Sequence, residues 1–184
     1  MKITETLDYT CAANFTQCSI VMAQYAKNIT TSGACSDDLT SENPLITYAR
    51  LGLLAYQPLY RASCLKNPST SAYCFANAIT NASSPADSYI YFLPLNTTLV
   101  GGSQPTCDVC LKQTMAVFEA ATSDRSSALA TDYVSAAMQV NVNCGPGFVN
   151  ASIAAAVTSG SQPSQPFSNV GLFALVVLVA SWLL

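Results

Sequence analysis

Apolar residues recur at helical spacing along most of the chain, and polar interruptions cut that pattern into short lengths. From Cys11 a stripe runs through Phe15, Cys18, Met22, Tyr25 and Ile29, steps of three and four residues that share one helix face. Asn14 and Asn28 fall on its flank, Ile20 points away, and Gly33 is placed to cap the end. Asn43 followed by Pro44 reads as N-cap and first helical residue. A second helix then carries Leu45, Tyr48, Leu53 and Tyr56. Pro58 predicts a break near Gln57, with the helix resuming over residues 59–65. Asn67 and Pro68 repeat the cap-and-proline signal for a short third helix over residues 69–80. A fourth opens at Pro105 and aligns Cys107, Cys110, Leu111, Thr114, Phe118 and Ala121, with Asp108, Lys112 and Glu119 on the side away from them. A fifth, over residues 127–143, presents Leu129, Tyr133, Val134, Ala137, Met138 and Val140. Gly145, Pro146 and Gly147 stop it.

Between the third and fourth helices the periodicity fails. Residues 81–104 include Tyr89, Ile90, Tyr91, Phe92, Leu93 and Pro94, then Gly101 and Gly102, and read as an extended segment wrapped over the helices. The expected fold is all-α: a disulfide-stapled bundle of about five short helices with one extended, non-helical connection. Residues 1–10 read as an N-terminal flank, 11–150 as a cysteine-rich helical domain, and 151–169 as a Ser/Pro/Gln-rich spacer. The final segment, 170–184, is an uninterrupted apolar run.

That run changes the picture most. It is shorter than the roughly 20 residues of a spanning helix, and no charged residue follows Asp132. Upstream lie a polar spacer over 162–169 and the small residues Ser159, Gly160 and Ser161. Small acceptor, polar spacer and apolar tail are ordered as in a signal for glycosylphosphatidylinositol (GPI) attachment. Ser159 is the expected attachment residue, with Gly160 as the alternative, and the tail is then removed. The first ten residues hold no apolar core and do not form a secretory signal peptide. The GPI reading therefore expects the native signal peptide to be missing from this sequence. Its rival is a tail-anchored protein with a cytosolic, reduced domain.

Eight cysteines, Cys11, Cys18, Cys35, Cys64, Cys74, Cys107, Cys110 and Cys144, fit four disulfides in an oxidising compartment. Eight allow 105 connectivities; Cys64 with Cys74, across a tight connection, is the favoured local pair. Asn14, Asn28, Asn81, Asn96 and Asn150 each begin an N-x-S/T sequon, an acceptor pattern for N-glycans. Only 9% of residues are charged and the net charge is −3, so nothing electrostatic draws the chain to nucleic acid.

Candidate chemistry is sparse. Histidine is absent, which removes Ser-His and Cys-His nucleophilic arrangements. Cys107 and Cys110 form a C-x-x-C, but no βαβ pattern surrounds it, and structural half-cystines are the better reading. Zinc would want a second close Cys or His pair. Asp37 and Asp38 are the only adjacent acids, and a polar connector supplying capping oxygens outweighs paired-carboxylate hydrolysis. The cluster at Tyr89, Tyr91 and Phe92 could stack a sugar or line an apolar pocket, against ordinary core packing. No cofactor and no metal is expected.

Several stretches together resemble a known family: N-F-T-Q-C-S at 14–19, Y-A-K-N-I-T at 25–30, Y-C-F-A at 73–76, L-P-L-N at 93–96, G-G-S-Q-P-T-C-D-V-C at 101–110 and N-C-G-P-G-F-V at 143–149. The resemblance is to fungal secreted, GPI-anchored cell-surface proteins defined by a cysteine-rich domain of unknown function. It implies a wall or membrane setting and carries no established activity. The expectation is a non-enzymatic glycosylated surface or cell-wall protein with a structural or adhesive role. Its partners would be the outer leaflet, through the lipid, and wall glucan. A small-ligand or lipid-binding module, or a secreted effector, is the alternative.

Overall fold

The computed structural model describes residues 2–157. Among them the chain forms nine α-helices, one 3₁₀ segment and no strand, joined by three disulfides. The fold is the disulfide-stapled all-α one that the periodicity predicts. In chain order the helices are α1 (Ile3–Cys11), α2 (Phe15–Asn28), α3 (Ser36–Thr40), α4 (Pro44–Leu54), α5 (Tyr56–Ser63), α6 (Cys74–Thr80) and α7 (Ala86–Tyr89). The 3₁₀ segment (Ile90–Leu95) follows, then α8 (Val109–Ala121) and α9 (Leu129–Cys144).

The core belongs to the second half of the chain. Helix α8 buries Cys110, Leu111, Thr114, Met115 and Phe118, and α9 buries Leu129, Tyr133, Ala136, Ala137 and Val140. Ile90, Tyr91 and Leu93 of the 3₁₀ segment and Ala62 of α5 complete the cluster. Each large apolar side chain so buried stabilises the fold by about 1.5–3 kcal/mol. The Tyr133 hydroxyl, at the end of a fully buried ring, donates to the Asn150 carbonyl at 2.7 Å, so burial leaves it satisfied. Phe75 and Phe118 meet the Tyr91 ring edge-on, at 4.8 and 6.4 Å between centroids.

The first half attaches through a smaller contact. Leu7 of α1 packs with Tyr73 and Ala76, and the Tyr73 hydroxyl donates to Asp8 at 2.9 Å. Tyr60 of α5 donates to the carbonyls of Cys11 and Ala13, at 2.8 and 3.1 Å. Phe15 lies against the Tyr60 ring at 5.0 Å, with the Arg61 guanidinium 5.0 Å from its own centroid. These groups hold the α1–α2 junction to α5.

Several elements differ from the expected bundle, each for a local reason. Residues 1–10 are no loose flank, because 3–11 form α1 and Leu7 is buried. The stripe from Cys11 is cut, since the Asn14 side chain accepts from Gln17 N at 3.0 Å and starts α2 afresh. Within α2 the buried residues are Ser19 and Ala26, while Tyr25 is exposed. The helix break falls at Ala55 rather than Gln57. Pro58 is then the third residue of α5, in a first turn whose N–H groups have no helical partner anyway. Asn67 accepts from the backbone of Ser69 and Thr70, making a turn, and α6 waits until Cys74. The supposed extended connection contains α7 and the 3₁₀ segment. The Asn43–Pro44 start of α4 stands as expected, with Asn43 accepting from Leu45 N at 3.1 Å. So does the stop after α9, where Gly145 takes φ +100.

The disulfides join Cys11 to Cys64, Cys74 to Cys110 and Cys107 to Cys144. The favoured Cys64–Cys74 pair is therefore incorrect. Cys74 N–H bonds the Leu65 carbonyl at 2.9 Å, so the backbones are close, but Cys64 reaches back to α1 and Cys74 forward to α8. A fourth bridge is also absent: Cys18 and Cys35 are unpaired. Cys35 N–H bonds the Ile29 carbonyl beyond the far end of α2. Eleven residues of helical rise, about 16 Å, separate that point from Cys18, far beyond the Cα spacing of about 5.5–6 Å a disulfide prefers.

Candidate functional site

Short helices α6 and α7, the 3₁₀ segment and the start of α8 enclose a cavity of about 250 Å³. Its floor is apolar, formed by Ala78, Ile90 and Leu111, and the Cys74–Cys110 bridge lies in the wall. Asp87 organises the rim. Its carboxylate accepts from Asn81 Nδ2 at 2.8 Å, Ser84 Oγ at 2.9 Å, Thr106 N at 2.6 Å and Thr106 Oγ1 at 3.0 Å. Those four bonds pin residue 106 to the 81–87 turn and hold the cavity mouth in shape. Asp108 caps α8 from the same rim, with Oδ1 accepting from Leu111 N at 2.8 Å.

Two hydroxyls meet at the cavity wall. Tyr91 Oη and Thr114 Oγ1 are 3.2 Å apart and both buried. Burial pushes the Tyr91 hydroxyl up to about 12; the bond to Thr114 opposes this, and the nearby Asp108 and Asp87 charges add to it. Tyr91 thus keeps its proton at any physiological pH. No Lys or Arg lines the cavity, so its only formal charges are the two carboxylates.

A wider depression, about 550 Å³, runs between α5 and α8 over Pro58, Val117 and Ala121. Arg61 and Asp124 stand on its edge. At that edge the last described residue, Val157, donates its N–H to the Ser123 carbonyl.

The structure disperses most residues singled out from sequence. Cys107 and Cys110 pair with different partners, so the C-x-x-C is split between two staples and offers no local dithiol. Asp38 accepts from Asn43 Nδ2 at 2.9 Å, which orients the residue that caps α4 while Asp38 itself caps no helix, and Asp37 lies exposed beside it. Among the described residues no group of three or more Cys, Asp or Glu is placed to hold a metal. Tyr89 and Phe92 are 40% and 48% exposed, while Ile90 and Tyr91 turn inward to the cavity. Among the sequons, Asn14, Asn28, Asn96 and Asn150 are exposed and Asn81 is half-buried. The amide nitrogens of Asn81 and Asn150 are engaged, by Asp87 and by Glu119 at 3.2 Å. Ser159, Gly160 and the run 170–184 lie outside the described residues. No helix among the described residues is long and apolar enough to cross a membrane.

Sequence reasoning missed Asp87, the bond Asn81 makes to it and the pairing of Tyr91 with Thr114, although it named Asn81 as a sequon and Tyr91 as a residue that could line a pocket. One signal was present: Asp87 is the sole acidic residue between Glu42 and Asp108, isolated in an otherwise neutral stretch.

No curated protein and no solved structure matches the chain. One family model does, over residues 1–153, which takes in α1 as well as the cysteine-rich core. By that match the chain belongs to the DUF7729 family, a domain of unknown function.

Proposed function

We propose that the protein is a non-enzymatic, glycosylated cell-surface protein, held at the outer leaflet by a GPI lipid or transferred to cell-wall glucan, with a structural or adhesive role. The observation that carries this reading is the C-terminal order. Beyond Val157, the last described residue, come small residues at 159–161, a polar spacer over 162–169 and an apolar run over 170–184. Two further features support it. The three disulfides suit an oxidising compartment, and four of the five sequons present exposed asparagines. A fungal wall setting follows from the resemblance of its cysteine-bearing stretches.

The test is release from intact cells. A phospholipase that cleaves GPI, or a glucanase, is expected to free a polypeptide lacking Trp182. Recovery of the natural chain with Trp182 in place, released by neither enzyme, contradicts the proposal. A second reading, an extracellular small-ligand module, is favoured by one observation: the cavity beside Tyr91 has polar groups on its wall and an apolar floor.

A further inference from the structure

The two hydroxyls at the cavity wall carry two protons between them, and a single bond at 3.2 Å uses one. Thr114 Oγ1 makes no bond to a carbonyl of its own helix, and Tyr91 Oη has no other partner among the described residues. One hydroxyl proton, on a side chain at most 7% exposed, is therefore unspent and borders open space. Asp108, an exposed residue on the rim, takes no donor on Oδ2 from the described residues, since the cap uses only Oδ1. Asp87, by contrast, is saturated by its four donors and has no capacity left for a ligand.

We infer that this cavity binds a small protonated amine that also carries a hydroxyl or carbonyl oxygen, about the size of one sugar ring. The inference rests on the second reading above, that the cavity takes a ligand at all. The ammonium donates to Asp108 Oδ2, the ligand oxygen accepts the spare proton of the Tyr91–Thr114 pair, and the carbon skeleton covers Ala78, Ile90 and Leu111. Two carboxylates without a lining cation exclude anions. A volume of about 250 Å³ falls below the 300–1,000 Å³ or so typical of drug-sized pockets, which limits the ligand to a single ring or short chain. The unpaired buried proton disfavours a purely apolar occupant, because such a ligand leaves it unsatisfied.

The experiment is titration calorimetry on the full-length oxidised chain with four probes: glucosamine, glucose, gluconate and octanoate. Glucosamine is expected to bind about tenfold or more tighter than glucose, with no binding of gluconate. Asp108→Asn keeps a competent N-cap and is expected to abolish that preference. Thr114→Val is expected to weaken glucosamine by roughly fivefold. If glucose or octanoate binds as well as glucosamine, the cavity is a ligand site but the amine assignment falls. If none of the four binds, the amine and the ligand-module reading both fall. Wild-type preference retained in Asp108→Asn places the amine elsewhere and also overturns the inference.

Discussion

Helices α8 and α9 form the core: Leu111, Met115, Phe118, Leu129, Tyr133 and Val140 are buried, while Val109, Met138 and Val142 face outward. Helix α4 is just as apolar in sequence, with five leucines and isoleucines in eleven residues (Leu45, Ile46, Leu51, Leu53 and Leu54), yet it buries none of its side chains completely. Leu45 and Tyr48 stand 74% and 69% exposed, and Ile20 and Tyr25 of the neighbouring α2 are more than half exposed. All three disulfides join cysteines outside residues 15–54, and both unpaired cysteines lie inside that stretch. Composition is therefore a poor guide to where this fold buries its side chains. Burial follows the cross-links and the Tyr91–Phe118–Tyr133 core; α2 and α4 pack on each other and on α5, and α3 packs on α4.

The largest expected effect separates the two regions directly. Phe118→Ala should lower unfolding free energy by about 3–5 kcal/mol, whereas Tyr48→Ala should stay within about 0.5 kcal/mol, both by urea titration. Equal losses would erase the distinction. Next come the staples. Removing Cys107 and Cys144 together should cost about 2–4 kcal/mol. Replacing Cys35 by Ala should cost under about 1 kcal/mol, within the range of ordinary surface changes, and a larger loss at Cys35 would mean that it is structurally bonded.

Alkaline pH sharpens the same contrast. The Tyr91 hydroxyl is held above its ordinary value of about 10, so the folded state keeps this proton longer than the unfolded chain does. Its contribution is complete below pH 10 and is lost as pH rises toward about 12. Burial first, and the Glu119 charge second, push Tyr133 up as well. Stability should fall over that window, and Tyr91→Phe should make the fall shallower; an unchanged slope would remove Tyr91 from the account. The smallest effect lies in α2. Ser19 Oγ is buried with no hydrogen-bond partner, so Ser19→Ala should stabilise by up to about 1 kcal/mol. A loss of stability there would show the hydroxyl to be bonded after all.

Much of the second half was legible in the sequence. The inward residues of α8 and α9 lie three and four apart, and Asn43–Pro44 and Gly145 mark real helix boundaries. Helix α1 was not legible, because its apolar residues are only Ile3 and Leu7 until Tyr9. Contacts from Tyr73 and the bridge at Cys11 settle it, and these arrive from more than 50 residues away. The 3₁₀ segment escaped notice because Pro94 breaks the α-helical pattern while tolerating a tighter turn. The cavity needs Asp87, Thr106 and Thr114 at once, three residues that no local spacing connects. Disulfide pairing is equally non-local: Cys64 and Cys74 are consecutive cysteines with neighbouring backbones, yet Cys64 bonds Cys11 and Cys74 bonds Cys110.

Peptide mapping under non-reducing conditions, after alkylation of the native protein, tests the central claim most directly. The account predicts cross-linked peptides for Cys11–Cys64, Cys74–Cys110 and Cys107–Cys144, with alkylated thiols at Cys18 and Cys35. A Cys64–Cys74 link, or a bridge between Cys18 and Cys35, would contradict it.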